Sequence, residues 1–149
     1  MMDSIIKATE GHKMYRSIIE ATQPGEEQTP PHAVATAAAD LASAIHATAI
    51  VAYTSSGTSA SRVARKRPSL PILAITPNED VSRRMCLLWG AHSVLSEDIN
   101  SYEEMVERAT HFAVEEDFAK PTELLVVIAG IPFAQAGTTN NLRVVTVPR

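Results

Sequence analysis

Short runs of apolar residues alternate with stretches of helical periodicity from residue 49 onwards, and no other feature restricts the fold as much. The apolar runs predict buried strands at residues 49–53, 72–75, 93–95 and 124–129. The stretches between them predict helices at residues 58–67, 80–89 and 102–118. Strict alternation of strands and helices implies right-handed crossovers, and therefore a mainly parallel sheet with helices on both faces.

The last apolar run, residues 142–147, follows the run at 124–129 with no helical pattern between them. We therefore expect it to fold back as an antiparallel strand at the edge of the sheet. The predicted fold is α/β, with three layers (α/β/α) and a five-stranded, mainly parallel sheet. At roughly 100 to 200 residues per domain, the 149 residues predict a single domain.

The chain before the first strand divides into three parts. Residues 2–21 carry apolar side chains at helical spacing and predict one leading helix, with an interruption at Gly11 as the alternative. Residues 22–29 combine Pro, Gly and acidic residues and predict a solvated loop. Thr29 is expected to cap a helix that runs from residue 30 through an alanine-rich stretch to about residue 46, so that residues 30–149 form the α/β core.

Composition excludes several classes of function. With 13 Lys and Arg against 17 Asp and Glu, the net charge is −4, and no broad cationic field exists to bind nucleic acid or an anionic membrane. A single cysteine, Cys86, cannot form an internal disulfide, and no long apolar run or leader is present, so the cytoplasm is the expected compartment. Cys86 and Trp89 are both expected to pack in the core.

The loop after the first predicted strand is the strongest candidate site. It places five hydroxyl side chains and one glycine directly before a helix, in the order Thr54, Ser55, Ser56, Gly57, Thr58, Ser59. Hydroxyl groups and the free N–H groups of a helix N-terminus are donors that a phosphate group requires. The alternative is that these residues only cap the helix and form its turn.

A second candidate loop, residues 130–140, follows the fourth predicted strand and contains two glycines and a proline. Long loops of this kind are often functional, although a plain connection between strands is the alternative. The five histidines lack metal-ligand spacing, which predicts no metal site. No set of general acid, base and nucleophile is recognisable, so the chain is not expected to be a catalyst by itself.

Taken together, several segments resemble the carboxyl-terminal domain of pyruvate kinase, in its bacterial form, over almost the whole chain. They are the hydroxyl loop through Ala60, Arg67-Pro68, residues 71–79, Arg83-Arg84 with Leu88-Trp89-Gly90, and Gly137-Thr138-Thr139-Asn140. The resemblance implies a regulatory domain that binds a phosphorylated effector, namely a sugar monophosphate, AMP or fructose bisphosphate. It also implies that catalysis, with Mg²⁺ or Mn²⁺ and usually K⁺, takes place in a separate barrel, and that this domain holds no cofactor.

The resemblance assigns roles to individual residues. It implies that Thr54, Ser56 and Ser59 hold the effector phosphate, with loop backbone from Ser55, Gly57 and Thr58. It implies an effector loop formed by Gly130, Ile131, Pro132, Phe133, Ala134, Gln135, Ala136 and Gly137. In members activated by a bisphosphate, an aromatic residue and an arginine hold the second phosphate. Tyr102 matches the aromatic residue, whereas the arginine position falls on Ala109, so Tyr102 and the neighbouring Arg108 are the candidates for a second contact with the effector. A monophosphate is therefore the favoured effector.

The resemblance further implies self-association through the last strand, as a homodimer of the domain within a tetramer of the whole enzyme. This agrees with residues 142–147, because a β-prone edge strand left bare promotes uncontrolled association. Two alternatives stay open at this point. One is a stand-alone Rossmann-like protein that binds or acts on a phosphorylated metabolite, and the other is a domain with a purely structural role in assembly.

Overall fold

The computed structural model describes residues 1–22, 25, 27–133, 135 and 137–149. The helices in this part of the chain are α1 (Met2–Glu10), α2 (Tyr15–Thr22), α3 (Pro30–Ala44), α4 (Thr58–Arg65), α5 (Glu79–Met85) and α6 (Tyr102–Glu115). The strands are β1 (Ala49–Tyr53), β2 (Ile72–Thr76), β3 (Ala91–Leu95), β4 (Leu124–Gly130) and β5 (Thr139–Thr146). None of these helices is long and apolar enough to cross a membrane.

The strands form one sheet in the order β3-β2-β1-β4-β5. The first four strands are parallel, and β5 pairs antiparallel with β4 at the edge. The predicted α/β fold with a five-stranded, mainly parallel sheet and an antiparallel last strand is therefore confirmed. The chain winds outward from β1 through β2 to β3 and then returns to the other side of β1 as β4, so the strand order reverses between β1 and β4. Ligands bind outside the carboxyl ends of the strands at such a switch point.

Two apolar cores cover the two faces of the sheet. Side chains from α3, α4 and α5 pack on one face, where Ala35, Ala38 and Ala42 allow α3 to approach closely. Met105, Ala109 and Ala113 of α6 pack on the other face. Strands β1, β2 and β4 are buried on both sides, which explains why they read as continuous apolar runs.

The leading segment is two helices rather than one, because the chain turns between Glu10 and Tyr15 at the interruption considered for Gly11. Neither helix contains a buried residue. The indole N–H of Trp89 donates to Glu10 at 2.8 Å and ties α1 to the α/β core. Trp89 is half-buried, beneath the guanidinium of Arg67 at 5.2 Å, so its assignment to the core was wrong.

One predicted helix boundary and two side-chain assignments were also wrong. Helix α5 ends at Met85 instead of residue 89, because the next residues form tighter turns with hydrogen bonds to the third residue back. Cys86 lies at this helix end and is exposed, not packed. Thr29 occupies the N-cap position of α3, but its side chain makes no capping hydrogen bond. In the predicted loop 22–29, residues 23, 24 and 26 lie outside the described part of the chain.

Candidate functional site

A cavity of about 60 Å³ lies at the carboxyl ends of the parallel strands, beside the switch point. This volume has room for several water molecules or a small polar group. Its walls come from the segments that follow β1, β2, β3 and β4 and from the start of β5. They include Thr54, Ser55, Ser56, Ser59, Thr76, Ser96, Glu97, Asp98, Gly130, Phe133, Gln135, Gly137, Thr138 and Thr139. The structure thus brings the two predicted loops together in one cavity.

The hydroxyl loop, residues 54–59, has its shape fixed by its glycine and its first threonine. Gly57 has φ = +86°, in the left-handed region that favours glycine. Its N–H donates to Thr54 Oγ1 at 2.8 Å, which closes the turn before α4. A Cβ at this position would lie 2.5 Å from Met85 Cε. The loop therefore requires glycine for conformation and for space.

The hydroxyl groups keep donors for an outside acceptor. A hydroxyl carries one O–H donor and two acceptor positions. Thr54 accepts from Gly57 and retains its own proton, whereas Ser56 and Thr58 share one hydrogen bond of 2.8 Å and so leave one O–H unused. The buried pair of Ser59 and Thr139 is hydrogen-bonded in the same way and also leaves one O–H. The first N–H groups of α4 add donors and a partial positive charge.

The described residues of the glycine loop, 130–133, 135 and 137–140, bound the cavity on the side of β4. The side chain of Asn140 donates to the carbonyl of Ile131 at 2.6 Å and accepts from its N–H at 2.9 Å, which holds the base of the loop. Gly130 is packed so closely that a Cβ would lie 2.5 Å from Thr138 Oγ1. Of the predicted effector loop, Ala134 and Ala136 lie outside the described residues.

The two residues predicted for a second contact do not line the cavity. The guanidinium of Arg108 donates to Ser96 Oγ and to the carbonyl of Glu97, both at 2.7 Å, and forms an ion pair with Glu104. The ring of Tyr102 lies beneath the guanidinium of Arg143, 5.2 Å away. Both side chains thus contact other residues of the domain, and two partners of Arg108, Ser96 and Glu97, line the cavity.

Sequence reasoning missed the contributions that follow β2 and β3. Asn78 Nδ2 donates to the carbonyl of Ser55 at 2.7 Å and supports the hydroxyl loop from the neighbouring strand. Arg84 Nη2 lies 3.4 Å from the carbonyl of Ser56 in the same loop. After β3, Ser96, Glu97 and Asp98 line the cavity. These contributions could have been predicted from the strand order, because the segments after β2 and β3 also follow the carboxyl ends of parallel strands.

Tyr53 lies at the floor of the cavity and is not poised for acid–base chemistry. Its hydroxyl donates to the carbonyl of Met105 at 2.8 Å. Burial raises its pKa well above the ordinary value; the cation of Arg108 opposes this shift and the carboxylate of Glu104 adds to it. The phenol therefore stays protonated at neutral pH. Across the described residues, no three side chains of His, Cys, Asp or Glu are grouped as a metal ion would require.

Comparison with known proteins gives the family. The family model "Pyruvate kinase, alpha/beta domain" matches residues 32–145. Two proteins of Agrobacterium vitis named pyruvate kinase are 56% and 52% identical over 97% and 99% of this chain. A pyruvate kinase of Methylorubrum extorquens is 35% identical over 99% of the chain. The chain spans only 30 to 31% of the length of these relatives, at their carboxyl-terminal part. It therefore belongs to the pyruvate kinase family and corresponds to the alpha/beta domain of these enzymes.

Proposed function

We propose that this chain is the regulatory domain of a pyruvate kinase and binds the phosphoryl group of a phosphorylated metabolite in the cavity between the hydroxyl loop and the glycine loop. The whole enzyme transfers a phosphoryl group from phosphoenolpyruvate to ADP in its barrel domain, with Mg²⁺ or Mn²⁺ and K⁺. The chain described here contributes regulation, and by itself is expected to form no pyruvate. Sugar monophosphates, AMP and fructose bisphosphate are the candidate effectors.

One observation carries the proposal: Thr54, Ser56, Ser59 and Thr139 line one cavity beside the N-terminus of α4. The hydrogen bonds within this group and to Thr58 and Gly57 leave O–H donors unused. A phosphate is recognised by several such donors without bulky side chains. A charge-assisted hydrogen bond contributes roughly 1.5 to 3 kcal/mol. Three or four of them, set against the cost of ordering, correspond to a dissociation constant of about 10 μM to 1 mM.

Calorimetry with single-hydroxyl variants tests the proposal. Ser56→Ala and Thr54→Ala are each expected to weaken binding of glucose 6-phosphate, ribose 5-phosphate or AMP by about 1 to 2 kcal/mol, or roughly 5- to 30-fold. Ser43→Ala is the matched control, because Ser43 is exposed near the far end of α3. Equal affinities in the wild type and both loop variants would reject this site.

We also propose that β5 forms a subunit interface with a second copy of the chain. Strand β5 is at the edge of the sheet, where its outer side has no partner strand among the described residues. Charged side chains on an edge strand oppose pairing. Val144→Lys is therefore expected to shift light scattering from dimer to monomer. Val114→Lys on α6 is the matched control, because Val114 and Val144 are both 41% exposed. This variant is expected to stay a dimer. A wild-type monomer at high concentration would contradict the interface.

A further inference from the structure

A groove of about 810 Å³ runs along the outer face of α6, away from the candidate functional site. Its walls come from α6, from the turn before β4 and from the segment that follows β5. Each of these parts contributes apolar residues, namely Val114 from α6, Pro121 from the turn, and Val147 with Pro148 after β5. None of the residues that line the groove lines the cavity beside the hydroxyl loop, so the groove is a separate surface.

The residues of α6 that line the groove share one face of the helix and give it negative charge. Glu104, Glu107, Arg108, His111 and Glu115 recur at spacings of three and four residues, which places their side chains on one side of a helix. Three carboxylates against one guanidinium give a net charge of −2, with His111 neutral. Arg108 is already paired with Glu104. Glu107 has no ion pair in the described part of the chain, so its charge is available to a partner.

The exposure and the charge of the groove indicate what kind of partner fits it. Val114 is 41% exposed, and Pro121 and Pro148 are exposed as well. Small-molecule sites bury roughly 70 to 90% of their ligand, and a groove this open does not, so a peptide segment is the better match. Complementary charge requires cationic side chains on that segment. A second copy of the chain, with its net charge of −4, lacks this complementarity.

We infer that this groove docks a segment of a partner protein in which apolar side chains alternate with Lys or Arg. The apolar side chains cover Val114 and the two prolines, and their removal from water supplies affinity. Lys or Arg beside Glu107 and Glu115 speeds association and excludes acidic segments. The inference goes beyond the proposed function and requires neither a bound phosphate nor the β5 interface.

Two peptides of opposite charge test the inference. Both carry Leu and Val in alternation with charged residues, which are Lys in one peptide and Glu in the other. Fluorescence anisotropy follows the binding of each labelled peptide to the 149-residue chain. The Lys peptide is expected to bind with a dissociation constant of about 10 to 100 μM, as in a weak, transient contact. The Glu peptide is expected to bind at least about tenfold more weakly.

Matched variants locate the binding to the groove. Glu107→Lys reverses a charge there and should weaken binding of the Lys peptide about fivefold. Asp40→Lys makes the same change in net charge at an exposed site on α3, on the other face of the sheet, and should not weaken it. Val114→Ser should weaken binding by about the same factor through lost apolar contact. Val144→Ser, at an equally exposed valine on β5, should not. Circular dichroism establishes that all variants are folded.

Three outcomes would overturn the inference. Equal affinity for the two peptides, or equal losses in Glu107→Lys and Asp40→Lys, would show general attraction to an acidic protein. Spermine that binds as tightly as the Lys peptide would show that the groove takes a small cation. A dimer that Val114→Ser dissociates in light scattering would show that a second copy occupies the groove. None of these outcomes depends on the hydroxyl loop, so the phosphate site stands or fails separately.

Discussion

Gly57→Ala should lower the free energy of unfolding more than the same substitution at a glycine whose Cβ position has no atom within 4 Å. An L-residue in the left-handed region costs roughly 1 to 2 kcal/mol, and Gly57 has φ = +86°. The added methyl group would also lie 2.5 Å from Met85 Cε. Because that atom is the free end of a flexible side chain, we expect about 1 kcal/mol for its displacement, the low end for overpacking. The free energy of unfolding should fall by about 2 to 3 kcal/mol in total.

Gly90→Ala separates the two contributions. Gly90 has φ = +67°, and nothing lies within 4 Å of the position its Cβ would occupy. This variant should therefore lose only the backbone contribution, about 1 to 2 kcal/mol. The entropy that alanine removes from the unfolded chain is the same in both variants and cancels from their difference.

Urea denaturation provides the measurement, with Met85→Ala as the second arm of a double-mutant cycle. In the Met85→Ala background the crowding atom is absent, so Gly57→Ala should cost no more than Gly90→Ala. The coupling energy between positions 57 and 85 should be about 1 kcal/mol. Equal losses for Gly57→Ala and Gly90→Ala, with no coupling to Met85, would refute the argument that Gly57 is required for space.

Three further changes test separate parts of the structure. Asn140→Ala removes both hydrogen bonds to the backbone of Ile131, so the amide of Ile131 should exchange with solvent about tenfold faster. The raised pKa of Tyr53 means that the unfolded chain loses a proton that the folded chain keeps, so stability should fall as the pH rises above about 10. Tyr53→Phe should remove up to about 1.4 kcal/mol per pH unit of this slope in urea titrations at alkaline pH. Trp89→Phe removes the donor to Glu10, and limited proteolysis should then cleave the leading helices several-fold faster while the α/β core stays intact.

The order and type of the core elements could be predicted because burial leaves a direct pattern in the sequence. Strands β1, β2 and β4 are covered on both faces, so their residues are apolar without interruption. The start of β5 at Thr139 could not be predicted in this way. Thr139, Asn140 and Asn141 are polar, and they join the sheet through pairing with β4 across an irregular register. Backbone hydrogen bonds, which leave no apolar pattern, set that boundary.

The candidate site could be predicted only in part, for a similar reason. The loops after β1 and β4 are conspicuous because hydroxyl residues and glycines are concentrated there. Asn78, Glu97 and Asp98 are residue types that occur in any turn. Only the sheet order places Glu97 and Asp98 in the cavity wall and brings Asn78 to the carbonyl of Ser55. The ion pair of Arg108 with Glu104 follows helical spacing, but its hydrogen bond to the carbonyl of Glu97 depends on tertiary structure.

The Ser59–Thr139 hydrogen bond joins the hydroxyl loop to the edge strand proposed as an interface. It connects the first turn of α4 to the first residue of β5 through two buried hydroxyl groups. When a phosphate oxygen accepts a hydrogen bond from the Ser59 hydroxyl, the Thr139 hydroxyl can still donate to Ser59. The ligand therefore fixes the direction of the Ser59–Thr139 hydrogen bond and does not break it. An effector shifts an equilibrium only by its different affinity for two states. Under the proposed function, any state of β5 that moves Thr139 away loses one hydrogen bond to the ligand-binding network. If association through β5 changes the position of Thr139, ligand binding and strand association are linked in both directions, because coupling between two sites is reciprocal.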